Sequence, residues 1–139
     1  SMAKLSQAEI DQFLSEPLVS HLVTVRPDGR PHVAPVWFIW QQGHALAMVG
    51  EGAVKVGNLR RNSVASLSIA SPDRPYKYVV LEGEGRVTKE NLAQAVQDIC
   101  LRYEGPEQGP VYAQELLSQD RMTLIDIQVT RVISWKGGD

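Results

Sequence analysis

Three cationic side chains, Lys55, Arg60 and Arg61, fall within the run AVKVGNLRR (Ala53–Arg61), directly after a strand-like segment broken by Gly50 and Gly52. Glycine has no Cβ, so at those two positions the backbone can come close to a ligand. The pattern predicts a short helix over 54–61. The first turn of such a helix presents unpaired N–H groups and the positive end of the helix dipole, the natural seat of a phosphate. Lys55 lies in that turn, and Arg60 and Arg61 add charge one turn later. The chemistry on offer is the binding of a phosphate or a polyanionic tail. The same charges also suit the solvated face and basic last turn of a surface helix. The glycine spacing is not that of the nucleotide P-loop or the dinucleotide fingerprint.

Other reactive residue types are sparse. His21, His32 and His44 lack the spacing of a metal pair, and the single Cys100 adds no second ligand, so no metal site is expected. His32 follows a turn and could sit near a pocket mouth; otherwise the histidines read as structural or surface residues. Cys100 neighbours the apolar stripe of a helix and reads as a buried inert thiol. No Ser/His/Asp or Cys/His set has a recognisable context, which argues against nucleophilic catalysis. Trp37, Trp40 and Trp135 suit core, dimer seam or ring-stacking wall, and Tyr76 and Tyr78 suit substrate contact or packing.

The elements around the cationic run read as mainly β. A first helix over 7–15 opens with a capping box, Ser6 and Glu9, and puts Ile10, Phe13 and Leu14 on one face. Strands are expected over 18–25, 31–40, 45–49, 64–70, 76–88 and 122–135, separated by turn chemistry such as RPDGR, QQGH and SPDRP. The second strand is apolar on both faces, with Val33, Trp37 and Ile39 on one and Val36, Phe38 and Trp40 on the other, so both must be covered. Gly83 and Gly85 mark a bulge or bend at a barrel corner. A helix over 89–103 carries Leu92, Val96, Ile99 and Tyr103 and ends at Gly105-Pro106; a further short helix starts at Pro110. Strands joined mainly by hairpins tend to close on themselves to remove their edges. The expected fold is a six-stranded antiparallel β-barrel with three or four peripheral helices.

The totals are consistent with this. A chain of 139 residues, 43% hydrophobic and 22% charged, is the size of one domain with one core, taken as 1–139 with Ser1 as a cloning remnant. A net charge of -2 argues against nucleic acid as a partner. No apolar run approaches membrane-spanning length, the N-terminus has no signal-peptide apolar region, and the lone cysteine fits a reducing cytoplasm.

The ordered set RPDGRPHVAPVWF, KVGNLRRNSVASLS and YVVLEGEGRV, from about Leu18 to Trp135, resembles the split-barrel family of pyridoxamine 5'-phosphate oxidase-like flavoproteins and F420-dependent (deazaflavin) reductases. The resemblance implies an FMN-binding-protein-like split barrel and an obligate homodimer with two cofactors in grooves between subunits. It assigns Lys55 to the phosphate-binding lysine and Asn58, Arg60 and Arg61 to the residues that follow it, with Asn58 orienting the helix terminus. Met48, Val49 and Gly50 match the strand end facing the ring, and Pro35, Val36, Trp37 and Phe38 the neighbouring pocket wall. The FMN-using branch carries Arg and Lys where this chain has Val33 and Phe38, which points to coenzyme F420, although Gly57 stands where that branch often has a basic residue. The implied activity is hydride transfer from reduced deazaflavin to a small organic acceptor, with the chemistry borne by the cofactor and no catalytic side chain assigned. FMN is the alternative cofactor, and a non-catalytic carrier of flavin, haem or tetrapyrrole the alternative function.

Overall fold

The computed structural model describes residues 3–138; Ser1, read as a cloning remnant, lies outside them. Six strands, β1 (Ser20–Val25), β2 (Pro31–Gln41), β3 (His44–Gly50), β4 (Val64–Ala70), β5 (Lys77–Thr88) and β6 (Met122–Lys136), are joined by helices α1 (Gln7–Phe13), α2 (Val54–Arg61) and α3 (Leu92–Ser118). The strands close into an antiparallel barrel in the order β1-β2-β3-β6-β5-β4. The expected mainly-β barrel with peripheral helices is the fold observed.

Alternation along each strand fills the barrel. Leu22, Ala47, Leu67, Ile69, Val79, Leu81, Ile125 and Ile127 are fully buried, each large side chain contributing about 1.5–3 kcal/mol relative to exposure. The second apolar face of β2 is covered at Trp37 and Ile39 but not at Val33, which lies beyond the reach of α3 and stays exposed. α3 lies across the outside of β2, β3 and β6, where Val96, Cys100 and Ala113 pack with Met48. Burial pushes the Cys100 thiol up from its ordinary value, with Glu104 adding to the shift, which leaves it protonated and inert.

α3 is two helices meeting at a kink. Gly105 takes φ 88°, a left-handed value that L side chains resist, and breaks the helical path. The second stretch starts at Pro106, not at Pro110 as the sequence reading had it. Proline fits the first helical position, where its missing N–H would be unpaired anyway. The first stretch begins at Leu92, three residues later than the expected start at Lys89, because Asn91 is itself left-handed at φ 55°. Tyr76, expected to open the fifth strand, precedes β5 and lies under the Arg74 guanidinium, whereas Tyr78 is in the strand and stacks on Trp135.

The barrel is split on one side. β3 pairs with β6 only as far as His44↔Gln128, while β6 continues along β5 to Lys136. α1 fills the gap. Its expected capping box is present, with the Ser6 hydroxyl accepting from the Glu9 amide and the Glu9 carboxylate accepting from the Ser6 amide. Leu5, Ile10, Phe13 and Leu14 complete the core. The Leu5 amide donates to Ser134 Oγ at 3.0 Å, the Lys136 amide to the Ala3 carbonyl at 2.7 Å, and Lys136 Nζ to Glu9 at 2.9 Å. On the other flank Trp40 Nε1 donates to Asp11 at 2.9 Å. Among the described residues no helix is long and apolar enough to cross a membrane.

Candidate functional site

Where β2 and β3 run side by side on the outer wall, an open cleft of about 400 Å³ lies between the barrel and the second stretch of α3. Val36 and Trp37 from β2, Met48, Val49 and Gly50 from β3, and Lys55 from α2 all line it, as the sequence placed them. Pro35, Val19, Tyr112 and Met122 complete the wall. Strand alternation divides the work: Trp37 and Met48 point outward, while Val36 and Val49 have their side chains in the core and offer the cleft their backbone. A Cβ built on Gly50 would meet nothing within 4 Å, so this strand end is open to a ligand.

Trp37 is held from behind. Tyr103 stacks on it at 4.7 Å between centroids and 5° between planes, and Tyr112 meets it edge-on at 6.0 Å and 69°. The Tyr103 hydroxyl donates to the Leu18 carbonyl at 2.8 Å and accepts from the Phe38 amide at 3.4 Å. Burial raises its pKa above the ordinary tyrosine value, against the opposing Phe38 hydrogen bond and the Arg102 charge.

Of the three cations in the run, Arg61 alone is tied down by hydrogen bonds among the described residues. α2 occupies Val54–Arg61 as expected, and no side chain caps its first turn. Lys55 is half-buried in that turn and has no carboxylate partner among the described residues. Lys55, Asn58 and Arg61 recur at three-residue intervals and so share a helix face. Asn58 is buried and donates to Thr24 Oγ1 at 3.1 Å, tying α2 to β1. Arg61 folds back along its own helix, donating to Asn58 Oδ1 at 2.6 Å and to the Gly57 carbonyl at 3.0 Å. Arg60 is exposed, and its charge acts weakly against that of Lys89, whose ammonium pairs with Glu51. Phe38 is buried in the core cluster. Of the sequence-named residues, then, Phe38, Asn58, Arg60 and Arg61 lie outside the cleft lining.

A free cation beside an uncapped helix start and an apolar, aromatic-walled cleft fits a planar ring carrying an anionic tail. Comparison with known proteins agrees. The sequence pattern that defines the pyridoxamine 5'-phosphate oxidase family matches residues 6–136. The chain belongs to that family. This is an oxidoreductase family, and relatives within reach include both flavin and deazaflavin names. An F420H2-dependent biliverdin reductase of Mycobacterium tuberculosis (strain CDC 1551 / Oshkosh) is 32% identical over 123 residues, covering 87% of this chain and 82% of the relative. A crystal structure of a conserved hypothetical protein from Mycobacterium tuberculosis superposes with a TM-score of 0.84 at 24% identity, covering 96% of this chain and 86% of the other. An F420 reductase structure superposes at 0.71 and 25% identity, covering 88% and 94%.

Sequence reasoning did not single out three residues of this family member's cleft: Val19, Tyr112 and Met122. Val19 is brought to the rim by the β1–β2 hairpin it precedes, whereas Tyr112 and Met122 belong to segments distant in sequence that the kink in α3 and the pairing of β6 with β3 bring there.

Proposed function

We propose that the protein is an F420H2-dependent reductase that transfers a hydride to a small organic acceptor. The observation that carries the reading is the distribution of charge around the cleft. Lys55 is its one lining cation, and the second-strand positions that would grip an FMN phosphate hold exposed Val33 and buried Phe38. The 32% identical relative with a deazaflavin-dependent name supports the same cofactor, and makes a tetrapyrrole the first acceptor class to try.

A bound deazaflavin supplies the hydride; the chain's own groups place it. Trp37, fixed by Tyr103, gives a rigid flat wall, and Met48 adapts to its neighbour. The backbone at Val36, Val49 and Gly50 offers polar groups to a ring edge. Lys55 and the first turn of α2 neutralise an anionic tail, with Asn58 tying that helix to β1 and Arg61 fixing the Asn58 side chain. Tyr112 and Met122 close the far rim and exclude water.

The cleft is open, and Val19, Val33, Val54 and Val111 expose more than half of their surface on or next to its lining residues. A second copy of the chain covering this apolar rim would complete the site, in line with a homodimer. Light scattering at micromolar concentration tests that assembly. For the cofactor, F420 and FMN are titrated separately into the protein, following tryptophan quenching. F420 is expected to saturate at the lower concentration, and F420H2 to be oxidised only when an enone, quinone or tetrapyrrole acceptor is added. Tighter binding of FMN overturns the cofactor assignment, and saturable binding without acceptor-dependent oxidation makes the protein a carrier.

A further inference from the structure

Folding leaves one nitrogen beside the anion grip without a partner. His32 Nδ1 is buried and makes no hydrogen bond among the described residues. Native proteins leave few buried polar atoms unsatisfied, and a functional contact is one of the standing reasons for an exception.

The register shows what surrounds this imidazole. His32 is the direct cross-strand partner of Thr24, so the two side chains leave the same face of the β1–β2 ladder. Thr24 Oγ1 accepts from Asn58, and Asn58 shares its helix face with Lys55 one turn earlier. His32 thus lies at the end of the barrel that α2 covers. The charges that act on it are Lys55 from α2 and Arg26 from the start of the β1–β2 turn. Arg26 is engaged only by the Pro31 carbonyl at 3.4 Å, and the turn's carboxylate, Asp28, accepts from the Arg30 amide. Two uncompensated cations therefore converge on an imidazole with a spare nitrogen.

We propose that His32 is a proton-linked member of the anion site: it takes up a proton when the cofactor's anionic tail binds, so the site grips its ligand more tightly in acid. This rests on the assignment of Lys55 as the tail's anchor. In the free protein, burial and then the Arg26 and Lys55 charges hold the imidazole below its ordinary value, so it is neutral around pH 7. A negative charge at Lys55 offsets that repulsion and raises the affinity of His32 for a proton. By linkage, cofactor affinity is highest below the free-state pKa of His32. It falls as pH rises through the window between the free and bound values, and is level above it.

The test is F420 binding, followed by tryptophan quenching between about pH 5 and about pH 8, in the unsubstituted protein and in His32→Gln. The expected loss of affinity across that range is about tenfold in the unsubstituted protein, corresponding to an upward shift of about one pH unit on binding. His32→Gln retains only the ligand's own titration, which both proteins share. In parallel, ring resonances of the unsubstituted protein, assigned with His21→Gln and His44→Gln, are expected to show the His32 midpoint moving up by about one unit at saturating F420. Equal slopes in the two proteins, or an unmoved midpoint, overturn the role of His32, and the resonance measurement decides alone if His32→Gln does not fold. Lys55→Ala separates the two layers: unchanged F420 affinity in that variant overturns the anchor assignment itself.

Discussion

Replacing Tyr103 by phenylalanine removes a single oxygen from the back of the cleft wall. β1 pairs with β2 only as far as Ser20↔Val36, and the Tyr103 hydroxyl stands where the ladder would otherwise continue, between the Leu18 carbonyl at 2.8 Å and the Phe38 amide at 3.4 Å. Taking the oxygen away leaves a carbonyl and an amide short of a partner, and such losses cost about 1–3 kcal/mol. The 3.4 Å contact is at the weak end of hydrogen-bond geometry, so mainly the Leu18 bond counts, giving about 1.5 kcal/mol. For a chain of this size that corresponds to a fall in Tm of roughly 5 °C. The stack on Trp37 survives in Tyr103→Phe, whereas Tyr103→Leu loses it as well, at a further cost of about 0.5–1.5 kcal/mol. Urea unfolding gives the stability ordering, and cofactor titration gives the functional one. Tyr103→Phe is expected to bind F420 as the unsubstituted protein does, and Tyr103→Leu to bind it more weakly because Trp37 loses its backing. A Tyr103→Phe variant within about 0.3 kcal/mol of the parent would refute the ladder-gap argument. Unaltered binding by Tyr103→Leu would refute the link from Tyr103 to the cleft.

Lys55→Ala is expected to weaken cofactor binding by about 10- to 100-fold, the usual weight of a hydrogen bond to a charged group, with little change in Tm. Arg61→Ala should do the reverse: a stability loss of about 1 kcal/mol in urea, since the Asn58 contact is half-exposed, with affinity changed less than about threefold. A Cβ at Gly83 would stand 2.0 Å from the Gln128 carbonyl oxygen, where β5 and β6 shift register, so Gly83→Ala should cost about 3 kcal/mol by thermal unfolding. Glu9 is held at a pKa of about 2, first by the Ser6 amide and then by Lys136. A depressed carboxylate stabilises above its ordinary value and loses that contribution as pH falls through its folded one. α1 should therefore loosen between about pH 4.5 and about pH 2, read from the emission of Trp40, and Glu9→Gln should flatten that change.

The parts of the fold that were legible in the sequence are those with local causes. α2 and β4 begin and end where expected because glycine breaks and strict alternation act over a few residues. The cleft was legible where strand alternation alone decides which way a side chain points, as for Trp37 and Met48. It was less so for the cationic run, since a sequence of charges does not say which of them another residue will occupy. Arg61 is tied down by Asn58, and Arg60 is exposed away from the lining, so Lys55 is the cation of the run that reaches the cleft. Tyr103 was read as one of a helix's apolar stripe; its hydroxyl matters because β1 stops two residues short of the expected start, which depends on where α3 comes to rest. Pro106 and Pro110 both suit a helix start, and only the left-handed Gly105 chooses between them.

The suture between α1 and β6 also bears on the order in which the molecule assembles. Leu5 reaches Ser134 across a sequence separation of 129 residues, and Glu9 reaches Lys136 across 127. A helix of seven residues has little stability on its own. During vectorial synthesis α1 emerges before every strand of the barrel, yet its contacts to Ser134 and Lys136 must wait until β6 has emerged. A helix made before the strands it joins is then among the last elements to settle, and its helicity serves as a timestamp for closure of the barrel.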